Sequence, residues 1–215
     1  MTQRSICPIL TMSRDDLMSI QQQTDLAPQV SLGRIEEVWQ QLNRRLKPEI
    51  DYAGFEDGHI EAAAALGTGV DDYLAELQDS GQMLDALIAD RLCMRLLSKL
   101  YQVLEDQENR SGKVRYQYAF PEDITVIGSI LDHTGTRIRQ TDAGMMKPVK
   151  SAAYMLIPGK GTDQDKCGGI CAGCSRQDCP YAQQKQKDTL GALKYSYGYQ
   201  RIFGTMPKDE RKQKT

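Results

Sequence analysis

The sequence has 215 residues, of which 26% are charged and 40% hydrophobic, and its formal net charge is -2 at pH 7. A chain of this length forms one larger domain or two small ones with a core that needs no disulfides, and it lacks the basic excess of a nucleic-acid-binding protein. The sequence contains neither a membrane span nor the apolar core of a signal peptide, so it predicts a cytoplasmic protein whose thiols are reduced. Neither nucleic acid nor a membrane is expected as a partner.

The first predicted elements follow a polar lead segment, residues 1–30, that holds at most a short helix. The main domain is predicted over residues 31–160. Ser31 is a suitable N-cap for a helix in which apolar residues recur at helical spacing. A short apolar stretch then ends at Gly67 and Gly69, which predicts a strand or buried segment that turns into a helix.

The clearest predicted element is a long helix from about Ser80 to Asp106, because its leucine and isoleucine residues make one apolar stripe. Asp79 and Gln82 have the spacing of a capping box at its start. Cys93 lies on or beside the stripe, where a buried small side chain is the expected role.

The second half of the domain is predicted to add a strand, a helix and a further strand. The stretch "VRYQYAF" alternates as a strand does, and Pro121 and Glu122 open a helix that "HTGT" ends. A loop with paired methionines then leads into a strand from about Ser151 to Ile157. Strands are too few for a doubly wound sheet, so the sequence predicts an α+β domain that carries a small metal module.

Most of the cysteines, four of six, lie in the stretch "DKCGGICAGCSRQDCPYAQ". Zinc sites usually draw on two separated pairs, whereas four thiolates in one glycine-bearing loop suit a 4Fe-4S cluster, and a proline follows the last cysteine as in bacterial ferredoxins. Zinc and a reversible disulfide switch or free thiols are the alternatives. The module is predicted over residues 161–204, with an aromatic segment, and a solvated tail over residues 205–215. The predicted ligands are Cys167, Cys171, Cys174 and Cys179.

Several stretches resemble, in order and spacing, the activation domain of cobalamin-dependent methionine synthase: "ALGTGVDDYL", "MLDALIADRL", "FPEDITVIGSILD", "TDAGMMKPVKSAA" and the cysteine cluster ending in "CPY". The resemblance covers roughly residues 58 to 181 and is to the stand-alone form found in anaerobic bacteria, in which a cysteine-rich tail follows the domain. It implies a C-shaped α+β fold with a twisted antiparallel sheet, S-adenosylmethionine binding, and a role in the reductive methylation of cobalamin that has fallen into the inactive cob(II)alamin state.

The resemblance also implies a set of residues that face S-adenosylmethionine or the corrinoid. Arg115 matches the family arginine, and Asp142 stands where the family tends to have a glutamate. Met145, Met146 and Pro148 belong to the paired-methionine loop. The Pro-Gly-Tyr loop that holds S-adenosylmethionine in the family is missing, because "RYQYAFPED" stands in its place, so binding of that cofactor stays open.

These features predict a redox accessory protein that docks on a cobalamin-dependent methyltransferase or corrinoid protein. Electrons from a donor are expected to pass through the 4Fe-4S cluster to cobalamin carried by the partner. The alternative is a non-catalytic, zinc-ordered module that docks on a corrinoid protein, and whether the chain is an enzyme by itself stays open. No nucleophile elbow, phosphate loop or dinucleotide fingerprint is present. His59 and His133 are isolated in the sequence and predict no site.

Overall fold

The computed structural model describes residues 1–23, 30–108, 115–121 and 123–159. The predicted cysteine module, the aromatic segment and the tail lie outside these ranges. The helices and strands of the described ranges are, in chain order, β1 (Thr2–Ile6), α1 (Arg14–Gln23), α2 (Leu32–Asn43), β2 (Glu49–Gly54), β3 (Ile60–Ala65), α3 (Thr68–Asp79), α4 (Met83–Glu108), β4 (Arg115–Ala119), α5 (Ile124–Thr134), β5 (Arg139–Gln140), β6 (Met146–Lys147) and β7 (Ser151–Gly159).

A five-stranded sheet of order β1-β2-β3-β7-β4 lies at the centre of the fold. Each neighbouring pair in it is antiparallel, and β5 and β6 form a separate two-stranded hairpin. The predicted α+β class with an antiparallel sheet is confirmed. None of the helices in the described ranges combines the length and the hydropathy that a bilayer crossing requires.

One face of the sheet packs on the helices and forms the main core. The predicted long helix is confirmed as α4, whose apolar stripe lies against this face with side chains that are at most 1% exposed: Ile88, Leu92, Leu96, Leu100 and Leu104. Cys93 is buried as predicted, and burial raises the pKa of its thiol to about 12, so it is protonated and unreactive at neutral pH. The prediction that Asp79 and Gln82 form a capping box at the start of this helix is wrong. Asp79 is the last residue of α3, and Gly81, at φ +74°, turns the chain into α4.

The lead segment contributes to this fold over residues 1–23. β1 pairs with β2 along its whole length, and α1 places Leu17 and Ile20 in the main core. The sequence did not indicate this strand, because four of its five residues are exposed and carry no apolar alternation. An edge strand with polar side chains on both faces is held by its backbone hydrogen bonds. Its sequence therefore shows no hydrophobic pattern from which the strand could be predicted.

Gly67 and Gly69 have a structural role at the turn from β3 into α3, where the predicted strand-to-helix transition is confirmed. Gly67 has a φ of +98°, and a Cβ on Gly69 would lie 2.9 Å from the carbonyl oxygen of Arg45. The glycines of "ALGTG" therefore let the chain pass close to the end of α2.

Replacing Gly69 by alanine is expected to destabilise the protein, because the Arg45 backbone has to move to admit the added methyl group. The expected loss in free energy of unfolding is about 1–3 kcal/mol, measured by urea denaturation. Gly54→Ala is the matched control, since a Cβ there meets nothing within 4 Å. Equal stability of the Gly69→Ala and Gly54→Ala variants would contradict the close approach.

Candidate functional site

The structure brings four of the predicted site residues together in the β5–β6 hairpin and the turn after it. Thr141 N–H donates to the Met145 carbonyl at 2.8 Å and closes the hairpin. Asp142 is exposed at its tip, and Met145 is 58% exposed. Met146 is half-buried against the small apolar cluster under α5, and Pro148 follows a cis peptide bond.

Three of the sequence stretches that carry the family resemblance meet just after this hairpin. Asp71, from "ALGTGVDDYL", accepts hydrogen bonds from the backbone N–H groups of Val149 at 2.6 Å and Lys150 at 3.4 Å. Asp90, from "MLDALIADRL", is 2.5 Å from Nζ of Lys150, and Ser151 Oγ donates to the Pro148 carbonyl at 2.5 Å. The paired-methionine loop is therefore fastened to the first turn of α3 and to α4.

A groove of about 500 Å³ lies beside this anchor, between α3 and the start of α4. Its walls are mostly apolar, with Met83 63% and Val149 51% exposed. Asp71, Asp90 and Lys150 form its polar margin. The anchor of the hairpin and this groove thus share the same residues.

Removing the Asp71 carboxylate is expected to free the hairpin, because two backbone N–H groups lose their acceptor. Asp71→Ala should lower the free energy of unfolding by about 1–2 kcal/mol and speed amide exchange at residues 145–151. Asp72→Ala is the control, since Asp72 is exposed on the same helix turn. Unchanged exchange in the Asp71→Ala variant would show that the carboxylate does not hold the loop.

Arg115 does not lie with the other predicted residues. It begins β4 and pairs with Gly159, the last residue of β7, whereas the hairpin adjoins Ser151, the first residue of that strand. Eight residues of strand separate the two ends, or about 27 Å. Arg115 and the hairpin therefore adjoin opposite ends of β7.

The predicted cluster ligands Cys167, Cys171, Cys174 and Cys179 lie outside the described residues, and the cluster stays a prediction. Within the described ranges the cysteines are the exposed Cys7 and the buried Cys93. No group of three or more His, Cys, Asp or Glu in those ranges is arranged to hold a metal ion.

A set of ionisable side chains that the sequence did not connect lies at the C-terminal end of α5. We call Asp57, His59, Glu61 and His133 the histidine–carboxylate cluster. His133 Nδ1 is 2.6 Å from Glu61 Oε2, and His59 Nδ1 is 2.5 Å from Asp57 Oδ1. His59 Nε2 lies 3.8 Å from the other Glu61 oxygen.

Local structure explains how the cluster assembles. His59 directly precedes β3 and Glu61 is the second residue of the strand, so these two side chains lie on the sheet face that α5 covers. In the tight turn before β3, Gly58 N–H donates to the Phe55 carbonyl and Phe55 N–H donates to the His59 carbonyl, which returns Asp57 to His59. His133 comes from the last turn of α5. The His-x-Glu spacing was readable in the sequence, but the partner 72 residues later was not.

The cluster combines a buried centre with an exposed rim. Glu61 is 1% and His59 6% exposed, whereas the Asp57 and His133 side chains are 58% and 40% exposed. Burial raises the pKa of Asp57, but hydrogen bonds from His59 outweigh it and hold the pKa below its usual range. His59 Nε2 is buried and has no hydrogen-bond partner among the described residues.

Comparison with known proteins gives one kind of match. No family model matches the chain, and no curated protein sequence matches it. Among solved structures, the chain is similar to the crystal structure of the MetH reactivation domain bound to AdoHcy, with a TM-score of 0.45 and 10% identity over 73% of this chain and 78% of that chain. At this identity and TM-score the similarity assigns neither a ligand nor an activity to this chain.

Proposed function

We propose that this protein is a redox accessory of a cobalamin-dependent methyltransferase or corrinoid protein. It supports reductive reactivation of the partner's cobalamin, with a 4Fe-4S cluster held by Cys167, Cys171, Cys174 and Cys179. The observation that carries the proposal is the single-loop spacing of these cysteines, directly after a domain whose motifs follow the order of methionine synthase activation domains.

The chemistry requires one electron per event. Cob(II)alamin gains one electron and becomes cob(I)alamin, and an external donor has to supply that electron. A bound iron–sulfur cluster supplies one-electron transfer at low potential. The chain's own part is to hold the cluster through four thiolates, with Lys166 and Arg176 beside them to favour the thiolate form.

The β5–β6 hairpin is the proposed contact with the corrinoid partner or with S-adenosylmethionine. Asp142 and Met145 are exposed at its end, and Asp71 fastens the segment that follows. A flexible thioether adapts to an irregular surface, and a rigid anchor lowers the ordering cost of binding. Arg115 lies outside this contact, so any S-adenosylmethionine site that includes it is a second, separate proposal.

The cluster is tested by purifying the full chain without oxygen. We expect a brown protein with iron and sulfide in about equal amounts, and absorbance at about 400 nm that decreases on reduction. Addition of cob(II)alamin to the reduced protein should restore that absorbance as cob(I)alamin forms. A colourless protein with one zinc per chain would overturn the redox function and favour the zinc-ordered docking module.

Binding of S-adenosylmethionine is tested independently. Anaerobic calorimetric titration of the full chain should give measurable heat if the hairpin or Arg115 holds the cofactor. Variants Asp142→Ala and Arg115→Ala separate the two positions, because the hairpin adjoins the first residue of β7 whereas Arg115 pairs with the last. Absence of heat with an intact cluster would remove the cofactor from the proposal and leave the electron-transfer part standing.

A further inference from the structure

We propose that the histidine–carboxylate cluster is a proton-dependent latch that holds the C-terminal end of α5 against the sheet. The latch joins β3 to α5 through Glu61, which contacts His133 on the helix and lies beside His59 at the start of the strand. This inference rests on the described side chains and is independent of the proposed electron transfer.

The centre of the latch is the buried carboxylate of Glu61, whose negative charge needs a cationic or hydrogen-bonding partner. A glutamate buried to this degree is rarely found without a cationic or hydrogen-bonding partner, because an isolated buried charge is costly. His133 compensates one oxygen of Glu61 at 2.6 Å. The other oxygen faces His59 Nε2 at 3.8 Å without a hydrogen bond.

The hydrogen-bond partner of His59 Nδ1 decides what its other nitrogen can do. Nδ1 lies 2.5 Å from the Asp57 carboxylate, which can only accept, so Nδ1 carries a hydrogen. In a neutral imidazole Nε2 then carries a lone pair, and two acceptors face each other across the 3.8 Å gap. One added proton on Nε2 turns the repulsive pair into a charge-assisted attraction, which holds the Glu61 side chain in the position from which it contacts His133 of α5.

An aromatic ring, a carboxylate and an amide surround the cluster. The Phe55 ring stacks on His59 with centroids 4.2 Å apart and planes 10° apart, a placement that suits an imidazolium. Asp51 is the other buried carboxylate on this sheet face, in β2. From β1, Gln3 donates to the His133 carbonyl and brings no charge.

The described residues of β1, β2, β3 and β7 on the sheet face toward α5 include no lysine or arginine. β4 begins with Arg115, which pairs with Gly159 at the end of β7. On and after α5 itself, Asp132 and Arg137 are exposed to solvent. The two histidines are the only ones in the chain, and histidine side chains ordinarily change charge between about pH 5 and 8.

The test is amide hydrogen exchange of α5 in the full chain at pH 6.0 and 8.0, corrected for the intrinsic pH dependence of exchange. In the wild type, local opening of α5 should be roughly threefold to tenfold more frequent at pH 8.0. The α2 amides, which are remote from the cluster, serve as the internal control. Equal opening of α5 at both pH values would overturn the latch.

Glu61→Gln is the decisive variant. A glutamine at this position can donate to the neutral His59 Nε2 and accept from His133 Nδ1 at once. We expect α5 protection that no longer depends on pH. Retention of the wild-type pH dependence in this variant would overturn the proposal. Should Glu61→Gln fail to fold, His59→Gln asks the same question, since the introduced amide is a donor at either pH.

Discussion

Serine in place of Cys174 is expected to reduce the iron and sulfide content of anaerobically purified protein to roughly a tenth of the wild-type value, because each iron of a 4Fe-4S cluster is held by one cysteine. Reduction of added cob(II)alamin should fall in proportion. The measurements are colorimetric iron and sulfide analysis and the absorbance of cob(I)alamin after mixing.

The matched control for this substitution is Cys7→Ser. Cys7 is an exposed thiol near the N-terminus, outside the predicted ligand set, so its serine variant should keep the wild-type metal content. Cys93 is a poorer control, because its thiol is buried and a hydroxyl there would disturb the core. Full iron content in Cys174→Ser, or equal loss in Cys7→Ser, would contradict the proposed ligands.

Asparagine in place of Asp16 is expected to lower the free energy of unfolding by about 2–3 kcal/mol at pH 7. Asp16 is 6% exposed and joins α1 to α4. Arg95 donates twice to its Oδ1, at 2.9 and 2.7 Å, and Lys99 Nζ is 2.7 Å from Oδ2. Ser13 and Asp16 also cap the start of α1 reciprocally. The amide keeps the shape of the carboxylate and loses its charge.

The effect of Asp16 should depend on pH with a definite sign. Burial alone raises the pKa of Asp16, but hydrogen bonds from Lys99, Ser13 and Arg95 outweigh it and hold the pKa well below its usual range. A carboxyl whose pKa is lower in the folded state stabilises the fold above about pH 4, and that contribution is lost as pH falls. The stability difference between wild type and Asp16→Asn should therefore shrink on acidification.

Urea denaturation at pH 7 and near pH 3 measures this difference. Asp15→Asn is the control, because Asp15 is exposed in the same helical turn and should change stability by less than about 0.5 kcal/mol. A destabilisation by Asp16→Asn that is equal at both pH values would contradict the role of the ionised carboxylate.

The β5–β6 hairpin and the histidine–carboxylate cluster lie at the two ends of α5. The β5–β6 hairpin exposes Asp142 and Met145 and is fastened by Asp71. The C-terminal end of α5 carries the histidine–carboxylate cluster. The hairpin contacts the start of α5, where Gln140 Nε2 of β5 donates to the carbonyl of Ile124. The proposed latch therefore involves the same helix that contacts the hairpin.

What the sequence determined by itself was local. The leucine stripe of α4, the helix that starts at Ser31 and the turn through Gly67 follow from periodicity, capping and glycine conformation, which neighbouring residues decide. The cysteine spacing and the order of the activation-domain-like motifs are likewise properties of the sequence alone. The functional proposal rests mainly on these local patterns.

What only the tertiary structure decided involves residues far apart in the chain. β1 is polar, and its place in the sheet depends on pairing with β2 some fifty residues later. The packing of α3 brings Asp71 to the backbone of Val149, just after the hairpin. The packing of α5 brings His133 to Glu61. Arg115 is separated from the hairpin by the length of β7. Such pairings depend on strand order and helix packing, and hydrophobic periodicity carries no information on either.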